Sequence, residues 1–185
     1  LTVPIPGQPL QFFLNTRRHP TDDPRVRQAL LYAIDRPAIV DTVFESYSPP
    51  AYGPLCRSTF AYDSDVEVKY AHDPDRAVEL LEEAGWTDTD GDGTRDRDGV
   101  PLELETILMG WGYIPEVGQM LQNQFSQIGV GFQSRQTTFS NAMGDVAAGD
   151  YHLVPFLFSS SDPDILRTTF HSSNLDGGFN WSKVS

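Results

Sequence analysis

Four times along this chain an aspartate stands one or two positions ahead of a proline at the head of an apolar-periodic run: Asp23-Pro24, Asp35-Arg36-Pro37, Asp73-Pro74 and Asp162-Pro163. Proline holds φ near the helical value and lacks an N–H that the first turn could not use, and the aspartate accepts from the exposed N–H groups of that turn, so each pair reads as a helix start. The first helix is expected over 24–35 with Val26, Leu30, Ala33 and Ile34 on one face. A second is expected over 37–45 with Ile39, Val40, Val43 and Phe44 buried. A third, over 74–84, stops at Gly85 and packs Val78, Leu80, Leu81 and Ala84, and a short fourth runs from Asp162-Pro163 towards Phe170.

Between these starts lie runs of another period. Residues 10–15, 102–109, 130–137 and 151–158 read as strands, 114–128 as a helix opened by Pro115 and closed by Gly129, and 140–148 as a short helix closed by Gly149. Residues 46–70 are rich in Pro, Gly, Ser and Tyr and read as an ordered surface segment, and 87–99 as a polar loop. Strands alternating with helices predict an α/β or mixed α+β layer built on crossover units. Beyond the shared cap chemistry the chain carries no internal repeat.

Composition closes off several functions. The 185 residues suit one domain or one well-cored lobe, and the longest apolar stretch, Ala29 to Ile34, is far too short to cross a bilayer. A net charge of -13 leaves no excess of cations to neutralise phosphates, so nucleic acid is not an expected partner, and docking on an anionic membrane surface is disfavoured. The single cysteine, Cys56, excludes an intramolecular disulfide and reads as a plain thiol. Any targeting signal or membrane anchor is expected outside this segment.

The most conspicuous polar pattern places Asp88, Asp90, Asp92 and Asp96 at positions 1, 3, 5 and 9 of an EF-hand-like loop, with Gly93 at position 6. Alternating carboxylates around a tight glycine turn supply the hard oxygens that calcium needs. Gly99 stands where a bidentate glutamate would complete the loop, so the expectation is a weak calcium site that staples the loop and catalyses nothing. The alternative is a polar turn whose Asp and Gly residues suit left-handed and Asx conformations. No cofactor is required by anything else in the chain. His19, His72, His152 and His171 form no metal-ligand spacing, there is no GxSxG elbow or P-loop, and Ser159-Ser160-Ser161 is not a nucleophile signature.

Aromatic residues at strand ends point elsewhere. Trp111 and Tyr113 stand between a predicted strand and its helix, and Phe156 and Phe158 run into Ser159 and Ser160 at the end of another strand. Ligands of open α/β sheets collect at strand carboxyl ends, so Trp111, Tyr113, Phe156, Ser159 and Ser160 are the candidate ligand-binding residues. The alternative is that Trp111 and Phe156 cap the core.

A longer pattern then emerges. Asn15-Thr16-Arg17-Arg18, Asp23-Pro24-Arg25-Val26-Arg27-Gln28-Ala29-Leu30, Ala33-Ile34-Asp35-Arg36 and Ile39-Val40 follow one another, and Asp73-Pro74-Asp75-Arg76-Ala77 and Leu80-Leu81-Glu82-Glu83-Ala84-Gly85-Trp86 continue the run. Together they resemble the family 5 bacterial extracellular solute-binding proteins, which include dipeptide, oligopeptide and nickel binders. The resemblance implies an α/β, mixed-sheet lobe of a type II periplasmic-binding-protein-like fold. It implies the C-terminal lobe, residues 1–185, of a two-lobed protein whose N-terminal lobe and returning strands lie outside these residues. It further implies a monomeric, non-enzymatic carrier at the extracellular face of the cytoplasmic membrane or in the periplasm, delivering a peptide or other small polar solute to an ABC transporter permease.

Where oligopeptide binders carry a Trp-x-x-Asp pattern before a proline, this chain has Phe156 and Ser159, and Leu153 occupies the place of an arginine. The counter-charges for peptide termini are therefore missing, and each broken buried pair costs about 3–5 kcal/mol. The resemblance so read favours an uncharged ligand such as a sugar. Two other functions stay open on the residues alone: a hydrolase with an assembled Ser, His and Asp, and a calcium-stapled extracellular interaction domain.

Overall fold

A computed structural model describes residues 9–158 and 160–185. Its elements run β1 (Leu10–Leu14), α1 (Pro24–Ala33), α2 (Arg36–Val43), α3 (Val66–Lys69), α4 (Pro74–Glu83), β2 (Asp96–Arg97), β3 (Val100–Pro101), β4 (Glu103–Met109), α5 (Ile114–Ser126), β5 (Gly131–Thr137), α6 (Phe139–Ala148), β6 (Leu153–Leu157) and α7 (Ile165–Phe170). The expected α/β alternation is present.

Three of the four Asp-Pro signals work by the chemistry that predicts them. The Asp23 side chain accepts from the Arg25 N–H at 2.8 Å, Asp35 from Ala38 at 3.0 Å and Asp73 from Arg76 at 3.0 Å. The fourth does not start a helix. Asp162 accepts from the Asp164 N–H and the Ser160 hydroxyl accepts from the Asp162 N–H, so local turns take up these groups and α7 begins only at Ile165, with no side-chain cap. Residues 87–99 also differ from the polar loop expected. Asp98 and Gly99, both at positive φ, turn β2 back onto β3 in a two-residue hairpin, and the preceding Thr87 bridges to Asp96. On α2 only Ile39 is fully buried, while Val40, Val43 and Phe44 are half-covered.

The main sheet has the order β1-β6-β4-β5. β4 runs parallel to β5 and to β6, and β1 closes the sheet antiparallel to β6. Two side-chain layers follow from the two-residue period of the strands. Leu104, Phe132 and Leu153 face α1, α4 and α5 and join Val26, Leu30, Leu81, Leu121 and Phe125 in one core. Phe13, Ile107, Met109 and Val154 face the other way and pack with Ala142 and Val146 of α6, Tyr151 and Trp181. A sheet covered on both faces needs apolar residues at most positions, and β4 supplies Leu104 and then Ile107, Leu108 and Met109 in succession.

His152 closes the gap between β4 and the start of β6. Its Nδ1 accepts from the Glu105 N–H at 2.9 Å, and its Nε2 donates to the His19 carbonyl at 3.0 Å. Burial, with the nearby Arg18 guanidinium second, lowers its pKa below the ordinary 6.5. The unfolded chain therefore takes up this proton first, so the contribution is intact above 6.5 and is lost as pH falls below that value. Denaturation midpoints should drop with acidification more steeply for the native protein than for His152→Asn, which keeps an acceptor but does not titrate; parallel pH profiles would refute the assignment.

Candidate ligand-binding site

The parallel strands bring Met109 of β4, Thr137 of β5 and Leu157 of β6 to one edge of the sheet. The segments leaving that edge carry its aromatic residues. After β4 the chain makes a tight turn in which the Trp111 N–H donates to the Met109 carbonyl at 2.8 Å, with Gly112 at φ +60. Trp111 remains 41% exposed. After β5, Thr138 caps α6 by accepting from the Asn141 N–H, which sets Phe139 on the first helical turn, 52% exposed. Pro155 has no N–H to extend the ladder, and β6 pairs with β4 only where Leu153 lies opposite Thr106. Beyond that pairing, Trp111 and Phe156 meet edge-to-face at 6.3 Å between ring centroids.

From Phe156 the aromatic surface spreads. Phe139 lies 6.3 Å from it, Phe158 4.8 Å and Trp181 4.8 Å, and Phe158 continues to Phe179 at 5.3 Å. Phe179 is 47% exposed, whereas Trp181 is only 3% exposed and also packs on Phe13 of β1. The Tyr151 hydroxyl donates to the Trp181 carbonyl, and burial pushes that phenol's pKa well above its ordinary value. Next to it, the Asn180 amide donates to the carbonyls of Phe170, His171 and Val184. Exposed rings thus stand on half-buried Phe156 and Phe158 and on buried Trp181, a contiguous apolar patch of the kind that marks an interaction site.

Of the residues expected at this site, Trp111 and Phe156 come together. Phe156 is half-buried and supports the patch. Tyr113 does not join it: at the start of α5 its ring turns to Phe44, 5.0 Å away, on the α2 side. The Ser160 hydroxyl is engaged in its own turn, donating to the Asp162 carbonyl and accepting from the Asp162 N–H. Ser159 lies outside the described residues. Phe139, Phe179 and Trp181 were not expected; the signal for the last two was the aromatic density between Phe170 and Trp181, without any local indication of where it would pack.

The acidic loop divides. Asp88, Asp90 and Asp92 can bring one carboxylate oxygen each within 4.8 Å of the others, all exposed. Backbone donors hold Asp88 in place, from Gly91 at 2.8 Å and Gly93 at 3.1 Å. Asp96 is not with them. It accepts from the Thr89 hydroxyl at 2.7 Å and the Thr89 N–H at 3.0 Å, which lower its pKa, and it serves the base of the hairpin.

A concavity of about 660 Å3 opens on the α1–α5 side beside β1, lined by Phe12, Leu30, Ile39, Tyr52 and Phe125 among others. Its wall is mainly apolar, with Arg27, Arg36, Tyr52 and Tyr70 among the polar side chains on it. The strand-end patch, where loops from three parallel strands converge, is the better match to how such sheets bind small molecules.

Comparison with known proteins agrees with the fold and places it among binding proteins. Residues 3–177 match the model for bacterial extracellular solute-binding proteins, family 5 Middle. The oligopeptide-binding protein AppA of Bacillus subtilis is 29% identical over 164 residues, which are 86% of this chain and 30% of that protein. The dipeptide-binding protein of Escherichia coli is 26% identical over 175 residues, 91% of this chain and 31% of that one. The solved structure of AppA from Bacillus subtilis in complex with a nonapeptide superposes with a TM-score of 0.88 at 27% identity, covering 98% of this chain and 37% of that chain. This chain therefore spans about a third of the proteins it resembles.

Proposed function

Because this chain belongs to the bacterial extracellular solute-binding proteins of family 5, we propose that it is the C-terminal lobe of the substrate-binding component of an ABC importer, capturing a peptide or other small polar solute on the aromatic strand-end patch. Its fold is that of the periplasmic binding proteins. The observation that carries the reading is the run of exposed rings, Trp111, Phe139 and Phe179, seated on half-buried Phe156 and buried Trp181 beside the carboxyl ends of parallel strands. In this reading a second lobe closes over the ligand, and the permease distinguishes the closed form from the open one. The protein works as a monomer at the outer face of the cytoplasmic membrane or in the periplasm, held to the membrane by an anchor outside these residues. No catalysis is proposed: the described Ser160 hydroxyl and both nitrogens of His152 are committed to backbone partners.

The test is ligand retention. Mass spectrometry of the purified full-length protein should identify a co-purifying solute, and the Trp111→Ala, Phe139→Ala double variant should bind it at least about tenfold more weakly, a loss of about 1.4 kcal/mol, with an unchanged melting temperature. Undiminished binding in that variant would place the site elsewhere.

The trio Asp88, Asp90 and Asp92 is proposed as a weak calcium staple for its loop. Calorimetry of chelator-treated protein is expected to show one site at millimolar calcium, lost in Asp90→Ala and Asp92→Ala. Absence of heat in the native protein at that concentration rules the staple out.

A further inference from the structure

Away from the strand-end patch, we infer that a polar concavity at the opposite edge of the sheet binds a small oxyanion, a carboxylate or a phosphate, between Arg17 and Lys183. The concavity holds about 510 Å3, and its charged wall is made by Arg17, Arg18, Asp150, Asp176 and Lys183. Leu14 of β1 pairs with Leu153, the first residue of β6, so Asn15 and the arginines after it lie at the amino ends of the parallel strands. The rings of the proposed solute site lie at their carboxyl ends.

Charge singles this place out. Acids outnumber cations 26 to 13 in this chain, and Arg18, Arg25, Arg57, Arg76, Arg95 and Arg135 each pair with a carboxylate. Arg17 and Lys183 enter none of the ion pairs or cation–π contacts among the described residues, yet both line this one concavity. Of the other charged groups on the wall, Arg18 and Asp150 offset one another at 2.8 Å. Asp176 takes part in no ion pair among the described residues, so two cations face one carboxylate and a positive charge is left over.

The backbone under both cations is fixed. Asn15, 2% exposed, donates its amide to the Gly149 and Tyr151 carbonyls at 3.1 and 3.3 Å, and its side-chain oxygen accepts from the Arg17 N–H at 3.0 Å. The Thr16 N–H and hydroxyl both donate to the Ser182 carbonyl at 2.9 Å, which ties the segment of Arg17 to that of Lys183. Lys183 itself stands at φ +56, where glycine or asparagine would be easier, and its N–H donates to the Asn180 carbonyl at 3.1 Å. A long cationic residue kept on a backbone that disfavours it is the kind of outlier that marks a functional position. With both segments anchored, an anion has only two side chains to order. A guanidinium offers paired N–H groups to two oxygens of a carboxylate or phosphate, and the ammonium adds a point charge beside it.

Calorimetric titration of the full-length protein with inorganic phosphate, succinate and the neutral succinamide tests the assignment. The net charge of -13 opposes an anion's approach from a distance, so millimolar affinity is expected. At least one of the two anions should bind at a single site, the tighter of them identifying the class, and succinamide should not bind. Arg17→Gln and Lys183→Gln should each weaken binding about fivefold, the upper worth of a partly exposed ion pair. Lys183→Arg should retain it, Asp176→Asn should tighten it, and Trp111→Ala should leave it unchanged. Failure of both anions to bind overturns the inference, as does binding that succinamide matches or that neither glutamine variant weakens. Loss of anion binding in Trp111→Ala, with none in the glutamine variants, would move the anion to the strand-end patch and equally overturn it.

Discussion

Replacing Trp181 by alanine is expected to lower the free energy of unfolding by about 3–5 kcal/mol, the range for removing a large aromatic from a packed core. The indole is 3% exposed and touches four rings, Phe13 at 6.0 Å, Phe156 at 4.8 Å, Phe158 at 5.6 Å and Phe179 at 5.9 Å. These rings come from the edge strand β1, from β6 and from the segment preceding Trp181 itself. No single neighbour can move in to fill the space, because each is fixed by its own strand or turn. Urea titration of the full-length protein measures the loss, and a change below about 1 kcal/mol would show the site to be far more plastic than a core position. Trp181→Phe should recover a large part, since it keeps a ring against Phe156.

A second large loss is expected at Asn180, which is fully buried. Its amide donates to three carbonyls, at 3.2, 3.2 and 2.7 Å, and its side-chain oxygen accepts from the Val184 N–H at 3.2 Å. Alanine leaves these backbone groups without that partner in a place of limited water access, costing about 2–3 kcal/mol. Asn180→Asp should be worse than alanine, because a carboxylate would face the three carbonyls with no proton to give and with its charge buried. An aspartate variant as stable as the native protein would mean that the segment from Phe170 to Val184 rearranges freely, and the placement of Phe179 and Trp181 would lose its basis.

How far all this could be read from residues alone depends on the range of the interaction. Capping is local, and Asp23, Asp35 and Asp73 announce their helices because donor and acceptor lie within three positions of one another. Asp162 misleads for an equally local reason: Ser160 and Asp164 offer competing partners in the same turn. The Asp98-Gly99 hairpin was also legible in principle, since adjacent residues that tolerate positive φ are the mark of a two-residue turn, but the strands on either side are only two residues long and show no periodicity. The meeting of rings at the strand ends could be anticipated from Trp111 and Phe156. Its outer rings could not, because Phe139 and Phe179 reach Phe156 and Phe158 through contacts between residues far apart in sequence. Tyr113 was misplaced because one turn of α5 decides whether its ring meets Trp111 or Phe44, and packing against α2 settles that choice.

On the proposed binding surface, the arrangement of rings bears on which positions could change with the ligand. Phe156 and Trp181 serve the interior and the proposed binding surface at once, so any replacement there is judged first by whether the sheet still holds together. Trp111, Phe139 and Phe179 sit outside them on separate connecting segments and answer to no such veto. A change of ligand at the proposed site should accordingly run through these three outer positions, one at a time, over an inner pair that stays in place.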